Sequence, residues 1–262
     1  MIVLLSPAKN LNFDPMPSAP AATKPALSKD ANALAGTAKG LGRGDLKRLM
    51  GISDNLADLN YERFQAFKTG GRISGAKQAG LAFNGDVYTG LDAASLSADD
   101  LAFAQDHLRI LSGLYGLLRP LDAIQPYRLE MGTRLKTERG ATLYDFWGDK
   151  IAKHINKSLK DAKTPAVVNL ASNEYFKSVD KSALKHPVVT PAFKEEKDGK
   201  LRSLMLYAKQ ARGMMARWII QNRVTRSEDL KTFSVAGYKL DKALSNETEL
   251  VFTRPQPAKK AA

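Results

Sequence analysis

The chain contains no cysteine, and this absence excludes several kinds of site at once. Without thiols there can be no disulfide, no thiolate nucleophile and no zinc ribbon or iron–sulfur cluster built on sulfur ligands. A cysteine-free chain of 262 residues is typical of proteins that work in a reducing compartment. We therefore expect a cytoplasmic protein.

Long hydrophobic runs are also missing. No stretch reaches the roughly 18 apolar residues that a membrane-spanning helix needs. The apolar start, residues 1–5, is followed at once by Ser6, Pro7 and Lys9, which is unlike a secretory signal peptide. The sequence thus predicts a soluble protein with no membrane partner.

Histidine is scarce, and its placement argues against a metal centre. The three histidines, His107, His154 and His186, are far apart, and none has the spacing of a metal-binding motif. The acidic stretch 86–106 lacks the spacing of a metal-binding loop, so direct iron binding is the least favoured hypothesis. We predict no metal and no cofactor.

What the chain has in excess is positive charge. Forty Lys and Arg against 27 Asp and Glu give a formal net charge of +13. The cations are unevenly spread, because Lys200 to Arg226 contains seven of them and no acid. Such an excess attracts polyanions and favours a nucleic-acid partner, although a generally basic surface is the simpler alternative.

The pattern of apolar residues predicts a mixed α/β fold in a single compact domain with a mixed sheet. We expect this domain to span residues 1–254, a flexible tail to follow over 255–262, and the protein to be a monomer. Predicted strands are 2–5, 166–170, 187–190, 201–208 and 250–253. Predicted helices are 32–38, 46–50, 56–67, 101–108 (capped by Ser97 and Asp100), 144–160 and 209–223.

Residues 49–57 approximate a helix-hairpin-helix, in which a tight turn joins two short helices. Gly51, Ile52 and Ser53 would form the turn, and Lys47 and Arg48 add positive charge beside it. Such a hairpin presents free backbone N–H groups to DNA phosphates. The alternative is an ordinary helical corner packed in the core.

Three clusters mix glycine, tyrosine and charged side chains after apolar runs, as strand-end pockets do. They are residues 112–122, 126–132 and 169–177. The alternative is that Arg119–Asp122 and Arg128–Glu130 are buried ion pairs that only brace loops. We favour a pocket role for Arg128 and Glu130, whereas either role explains Asp122 equally well.

These clusters, together with Leu5-Ser6-Pro7-Ala8-Lys9, Asn84 to Leu91, Tyr207 to Gly213 and Phe233 to Tyr238, closely resemble the bacterial YaaA family of peroxide stress resistance proteins. The resemblance runs from Met1 to about Arg254. It implies a cytosolic protein induced by hydrogen peroxide that limits damage to DNA and protein by keeping unincorporated iron low. It also implies a mixed α/β fold with a basic cleft, a helix-hairpin-helix element, and binding to double-stranded or branched DNA without strong sequence preference.

Two hypotheses of function follow. In the first, the protein binds DNA through the Gly51 to Ser53 hairpin and a set of cations, namely Lys9, Lys47, Arg48, Arg128, Lys177, Lys209, Arg212 and Arg217. In the second, it is an enzyme acting on a small nucleotide-like ligand or a damaged base. Glu130 or Asp122 would then be the acid or base, Tyr127 or Tyr175 would stack on the base, and Lys9 or Arg128 would hold phosphate.

Overall fold

A mixed β-sheet of eight strands organises the molecule, which we describe from a computed structural model that covers residues 1–16, 18–70 and 73–257. The sheet strands are β1 (Ile2–Leu5), β5 (Leu108–Ser112), β6 (Gly116–Leu118), β8 (Val167–Asn169), β9 (Val188–Lys197), β10 (Lys200–Arg202), β11 (Lys239–Leu240) and β12 (Glu249–Pro255). Two small pairs lie apart from it: β2 (Asn10–Leu11) with β4 (Phe83–Asn84), and β3 (Lys77–Gln78) with β7 (Ala123–Ile124).

The strand order is β11-β12-β9-β8-β1-β5-β6, with β10 folded back on β9. Five neighbouring strands, β5, β1, β8, β9 and β12, are parallel, and the strands β6, β10 and β11 are antiparallel to their partners. β1 lies inside the sheet, and all four of its residues are buried. Its apolar run Ile-Val-Leu-Leu suits a strand covered on both faces.

Ten α-helices and two short 3-10 helices, Ala93–Ser95 and Ser227–Thr232, are assigned in the described part of the chain. The α-helices are α1 (Ser28–Lys39), α2 (Arg43–Met50), α3 (Asp54–Ala66), α4 (Ala79–Ala82), α5 (Asp86–Leu91), α6 (Ala98–His107), α7 (Leu143–Trp147), α8 (Lys150–Ser158), α9 (Asn173–Phe176) and α10 (Met205–Gln221). α6 and α10 both contact β1, and α10 packs along α5. The buried positions of α10 include Ala208, Ala211, Met215 and Ile219, a helical spacing that turns one face to the sheet.

The predicted mixed α/β class with a mixed sheet is confirmed, and most predicted elements are present. The strand 2–5 and the helices predicted over 32–38, 46–50 and 56–67 coincide with β1, α1, α2 and α3. Ser97 caps α6 as expected, because its hydroxyl accepts from the Asp100 N–H at 3.1 Å and the Asp100 carboxylate accepts from the Ser97 N–H.

Two predicted elements were wrong. Residues 201–208 are not one strand, since β10 ends at Arg202 and α10 begins at Met205. This run contains Leu, Met and Ala but no β-branched residue, so helix propensity prevails. The helix predicted over 144–160 is two helices, because Gly148 takes a φ of 48° and separates α7 from α8.

The carboxyl-terminal strand continues slightly past the predicted boundary at Arg254. β12 includes Pro255, and the Gln256 N–H bonds to the Glu196 carbonyl at 2.9 Å. The rest of the predicted tail, from residue 258, lies outside the described residues. Across residues 1–16, 18–70 and 73–257, no helix combines the length and the apolar character required to cross a membrane.

Candidate functional site

The carboxyl ends of β1 and β8 meet at one edge of the sheet and bring two distant loops together. Ser6 follows β1, and Ser172 follows β8. The Ser172 N–H donates to the Ser6 hydroxyl at 2.9 Å, and the two hydroxyl oxygens are 3.3 Å apart. β1 lies between two parallel neighbours, β5 and β8, so the chain connections at this edge lead to strands on opposite sides of β1. The carboxyl ends of the strands at such a point are the usual place for a ligand crevice in an open α/β sheet.

A three-residue ion cluster lies in the segments that the sequence singled out. Glu130 accepts from Arg128 at 2.9 Å through one carboxylate oxygen and pairs with Lys9 Nζ at 3.2 Å through the other. The Glu130 side chain is 25% exposed, so solvent and ligands can reach it. The structure therefore brings Lys9, Arg128 and Glu130 together in one cluster, an arrangement that fits a pocket role and a loop-bracing ion pair equally.

Buried tyrosines lie beneath this cluster. The Tyr88 hydroxyl donates to the Ser6 carbonyl at 3.0 Å, and the Tyr127 hydroxyl bonds to Ser112 Oγ at 2.6 Å. Burial, followed by the proximity of the other phenols, raises the pKa values of Tyr88 and Tyr175. Burial likewise raises the pKa of Tyr127. These side chains are neutral hydrogen-bonding groups near pH 7.

Tyr127 and Tyr175, the tyrosines predicted to stack on a base, are both buried in this structure. Tyr127 is only 5% exposed and Tyr175 9%, so neither ring offers a free face. Tyr127 instead packs edge-on against Tyr115 and Phe83. Both tyrosines belong to the floor of the strand-end site.

The alternative role for Asp122, bracing a loop, is the one that the structure favours. Its side chain is fully buried. One carboxylate oxygen accepts from the Thr23 hydroxyl at 2.7 Å and from Arg119 at 3.0 Å, and the other accepts from the Arg119 N–H at 2.8 Å. Both oxygens are engaged and shielded from solvent, which favours the bracing role over acid–base chemistry.

The hairpin residues form a tight corner between α2 and α3, which pack against each other. Gly51 has a φ of 60°, a left-handed conformation that favours glycine, and Ile52 is buried. Ser53 precedes α3, but its side chain makes no capping hydrogen bond. Within the described chain, no protein acceptor is found for the backbone N–H groups of the first three residues of α3, Asp54 to Leu56.

The cations predicted to contact DNA are mostly paired with acids. Carboxylate partners are found for Lys47 (Asp54), Arg48 (Asp45), Lys209 (Asp86) and Arg217 (Asp92). Arg217 also donates to the carbonyls of Leu91 and Asp92 at 3.0 and 2.7 Å, which holds the end of α5 against α10.

Two further predicted cations have no carboxylate partner among the described residues. Lys177 lies over the Tyr144 ring, with 4.9 Å between Nζ and the ring centroid. Arg212 makes no hydrogen bond or ion pair with the described chain, and its burial lowers its pKa. Neither observation establishes a continuous basic cleft.

The sequence alone did not identify Arg63 as a candidate. Arg63 projects from α3, and its single hydrogen bond within the described chain is a 3.4 Å contact with the Asn60 side chain. Burial, and then repulsion by Arg128, lowers the pKa of Arg63. No local pattern could have revealed this, because the two arginines are 65 positions apart in the numbering.

No group of three or more His, Asp or Glu side chains suited to hold a metal ion occurs in residues 1–16, 18–70 and 73–257.

Comparisons with known proteins give full-length similarity. A family model described as "Peroxide stress protein YaaA" matches residues 1–244. A UPF0246 protein of Maricaulis maris is 57% identical and covers 100% of both chains. A UPF0246 protein of Phenylobacterium zucineum is 54% identical over 100% of this chain and 98% of its own. A UPF0246 protein of Saccharophagus degradans is also 54% identical, over 98% of this chain and 100% of its own.

Proposed function

Since the chain belongs to the family of the peroxide stress protein YaaA, we propose that it is a cytosolic, monomeric protein that binds double-stranded or branched DNA without strong sequence preference. In this proposal, DNA binding by the protein helps to limit oxidative, iron-dependent damage. The observation that carries the proposal is the start of α3, where three backbone N–H groups without a described protein acceptor lie beside Lys47.

The start of a helix attracts anions because its unpaired N–H groups and the helix dipole both favour negative charge. Lys47 Nζ lies 2.8 Å from Asp54 at this point, and both side chains are largely exposed. An exposed ion pair contributes only about 0 to 1 kcal/mol, so a phosphate can compete with Asp54 for the lysine. Contacts of this type hold the backbone of DNA and do not read its sequence.

A carboxylate added to the first turn of α3 tests this proposal. Asn55→Glu favours the helix through its dipole but repels phosphate, so it should keep the fold and weaken duplex binding about tenfold, or roughly 1.4 kcal/mol. The matched control is Ala98→Glu, which adds the same charge to the first turn of α6. Fluorescence anisotropy with a labelled duplex measures both affinities.

The same assay across salt concentrations supplies a second criterion. If about six phosphates are neutralised, affinity should fall roughly a thousandfold between 50 and 200 mM salt. The proposal is rejected if the purified protein does not bind duplex, if binding is insensitive to salt, or if Asn55→Glu binds as tightly as Ala98→Glu.

The strand-end site supports a second candidate function, an enzyme that acts on a damaged base. The observation in its favour is Glu130, a solvent-accessible carboxylate held by Lys9 and Arg128 at the sheet edge. Glu130 would transfer the proton, and the two cations would hold a phosphate group.

The variant Glu130→Gln separates the two functions. An acid–base enzyme should turn over a duplex that carries one oxidised guanine, and the variant should lose about a hundredfold or more of that rate while still binding. Absence of turnover by the unaltered protein, with duplex affinity equal in both proteins, eliminates the enzymatic candidate.

A further inference from the structure

A groove of about 260 Å³ separates α3 from the turn at Gln125 and Pro126. Its apolar walls are Leu59, Ala66 and Pro126, and its polar rim is formed by Glu62, Arg63 and Gln125. Leu59 is 41% exposed, so its side chain is accessible to a ligand in the groove.

The groove is built on rigid elements. The Gln125 side chain accepts from the Lys68 N–H and donates to the Lys68 carbonyl, both at 2.9 Å, which ties the turn to the chain just after α3. The Gln125 N–H in turn donates to the buried Tyr115 hydroxyl at 3.0 Å. A site whose walls are already held in place loses little entropy when a ligand enters.

The rim carries charges that the described chain leaves unpaired. Neither Glu62 nor Arg63 forms an ion pair with any described residue, whereas the neighbouring Arg128 is paired with Glu130. Repulsion between Arg63 and Arg128, added to burial, lowers the pKa of Arg63. A phosphate beside Arg63 would relieve that repulsion.

The position of the groove on α3 relates it to the proposed DNA contact. Arg63 lies nine positions after Asp54, the first residue of α3. At 1.5 Å per residue this is a rise of about 13.5 Å along the helix axis, the length of about four steps of duplex. A backbone held at the start of α3 therefore reaches the groove within a few nucleotides.

We propose that this groove receives the base of an unpaired or extruded nucleotide in DNA whose backbone is held at the start of α3. The inference rests on the proposed DNA binding and adds a site to it. Leu59, Ala66 and Pro126 supply apolar surface for the faces of the base. Arg63 neutralises an adjoining phosphate, and the Glu62 carboxylate accepts a hydrogen bond from an exocyclic amino group.

The size of the groove favours a single base. Pockets for small molecules commonly measure about 300 to 1,000 Å³, so this groove is too small for two stacked nucleotides. A carboxylate on the rim also favours bases that carry an amino group over thymine, which has none on its exposed edge.

The experiment uses two probes, a paired duplex and the same duplex with one unpaired 2-aminopurine, whose emission is quenched by stacking between neighbouring bases. Binding should raise the emission of the unpaired probe severalfold, and the protein should prefer this probe about five- to tenfold, because only the unpaired base can enter the groove.

Ala66→Leu narrows the groove and should abolish both the rise in emission and the preference, while leaving affinity for the paired duplex unchanged. Ala33→Leu, the same change at an exposed position of α1, should behave like the unaltered protein. Leu59→Ala, which removes an apolar wall, should reduce the preference without changing the fold.

Failures of the two proposals can be told apart. Binding to the paired duplex without a rise in 2-aminopurine emission, or with a preference that Ala66→Leu leaves intact, overturns the groove and retains DNA binding. Absence of binding to both probes overturns the proposed function itself.

Discussion

Asp30 shows how a single buried acid joins three separate parts of the chain. Its side chain, in the first turn of α1, accepts from Arg139 at 2.6 Å and from Lys150, at the start of α8, at 2.8 Å. Burial alone would raise the pKa of Asp30, but the hydrogen bonds and charges of Lys150 and Arg139 outweigh it and lower the pKa below its ordinary value. The ionised carboxylate therefore stabilises the folded chain.

Replacing Asp30 by Asn should lower the free energy of unfolding by about 1 to 2 kcal/mol at pH 7, because two charge-assisted hydrogen bonds are weakened. A carboxylate whose pKa is lower in the folded state stabilises the fold fully at pH values above its unfolded-state pKa. This stabilisation is lost as the pH falls through the folded-state pKa, where the carboxylate becomes protonated. The difference between the two proteins should consequently shrink below about pH 4.

Urea unfolding at several pH values measures this effect. Asp99→Asn is the control, since Asp99 is an exposed acid in the first turn of α6 that makes no ion pair with the described residues. A constant difference between Asp30→Asn and the unaltered protein from pH 7 to pH 3 would contradict the interpretation.

At the scale of elements, the contact between α5 and α10 depends on two glycines. A Cβ atom at Gly213 would clash with the Val87 carbonyl and lie 2.7 Å from the Leu91 nitrogen. A Cβ at Gly90 would clash with the Gln210 carbonyl in the same way. Neither glycine has a positive φ, so the requirement is close approach of two backbones and not an unusual conformation.

Gly213→Ala should therefore destabilise the protein by about 1 to 3 kcal/mol, because α10 must move away from α5. Gly36→Ala should have the opposite effect, because Gly36 lies inside α1 and a Cβ atom there would have no neighbour within 4 Å. This change should raise the free energy of unfolding by about 0.5 to 1 kcal/mol. Chemical denaturation of both variants gives the two values, and equal effects of the same sign would refute the packing argument.

At the scale of the whole molecule, the net charge of +13 and the local ion pairs act together. Lys9, Lys47 and Lys209 each have a carboxylate partner, but all three are substantially exposed. Exposed pairs are weak and exchange readily, whereas the excess of cations sets the field that an approaching polyanion meets. Association with DNA would thus depend more on the total charge than on the number of unpaired lysines.

Much of the fold could be predicted because helices and strands follow local patterns. The apolar spacing and Gly51 located α2 and α3, and the Ser97 to Asp100 spacing located the start of α6. Prediction failed where local patterns are ambiguous. The apolar run 201–208 is compatible with a strand or a helix. The break at Gly148 could not be predicted, because the helical spacing of apolar residues continues from α7 into α8.

By itself, the sequence determined the fold class, the family and the chemistry available to the site, since composition and motifs are properties of the chain. Only the tertiary structure decided which side chains act together. It joined Ser6 to Ser172, paired Glu130 with Lys9, and buried Asp122 against Thr23. These contacts depend on the order β5-β1-β8 and on packing between distant segments, which propensities acting over a few residues do not encode.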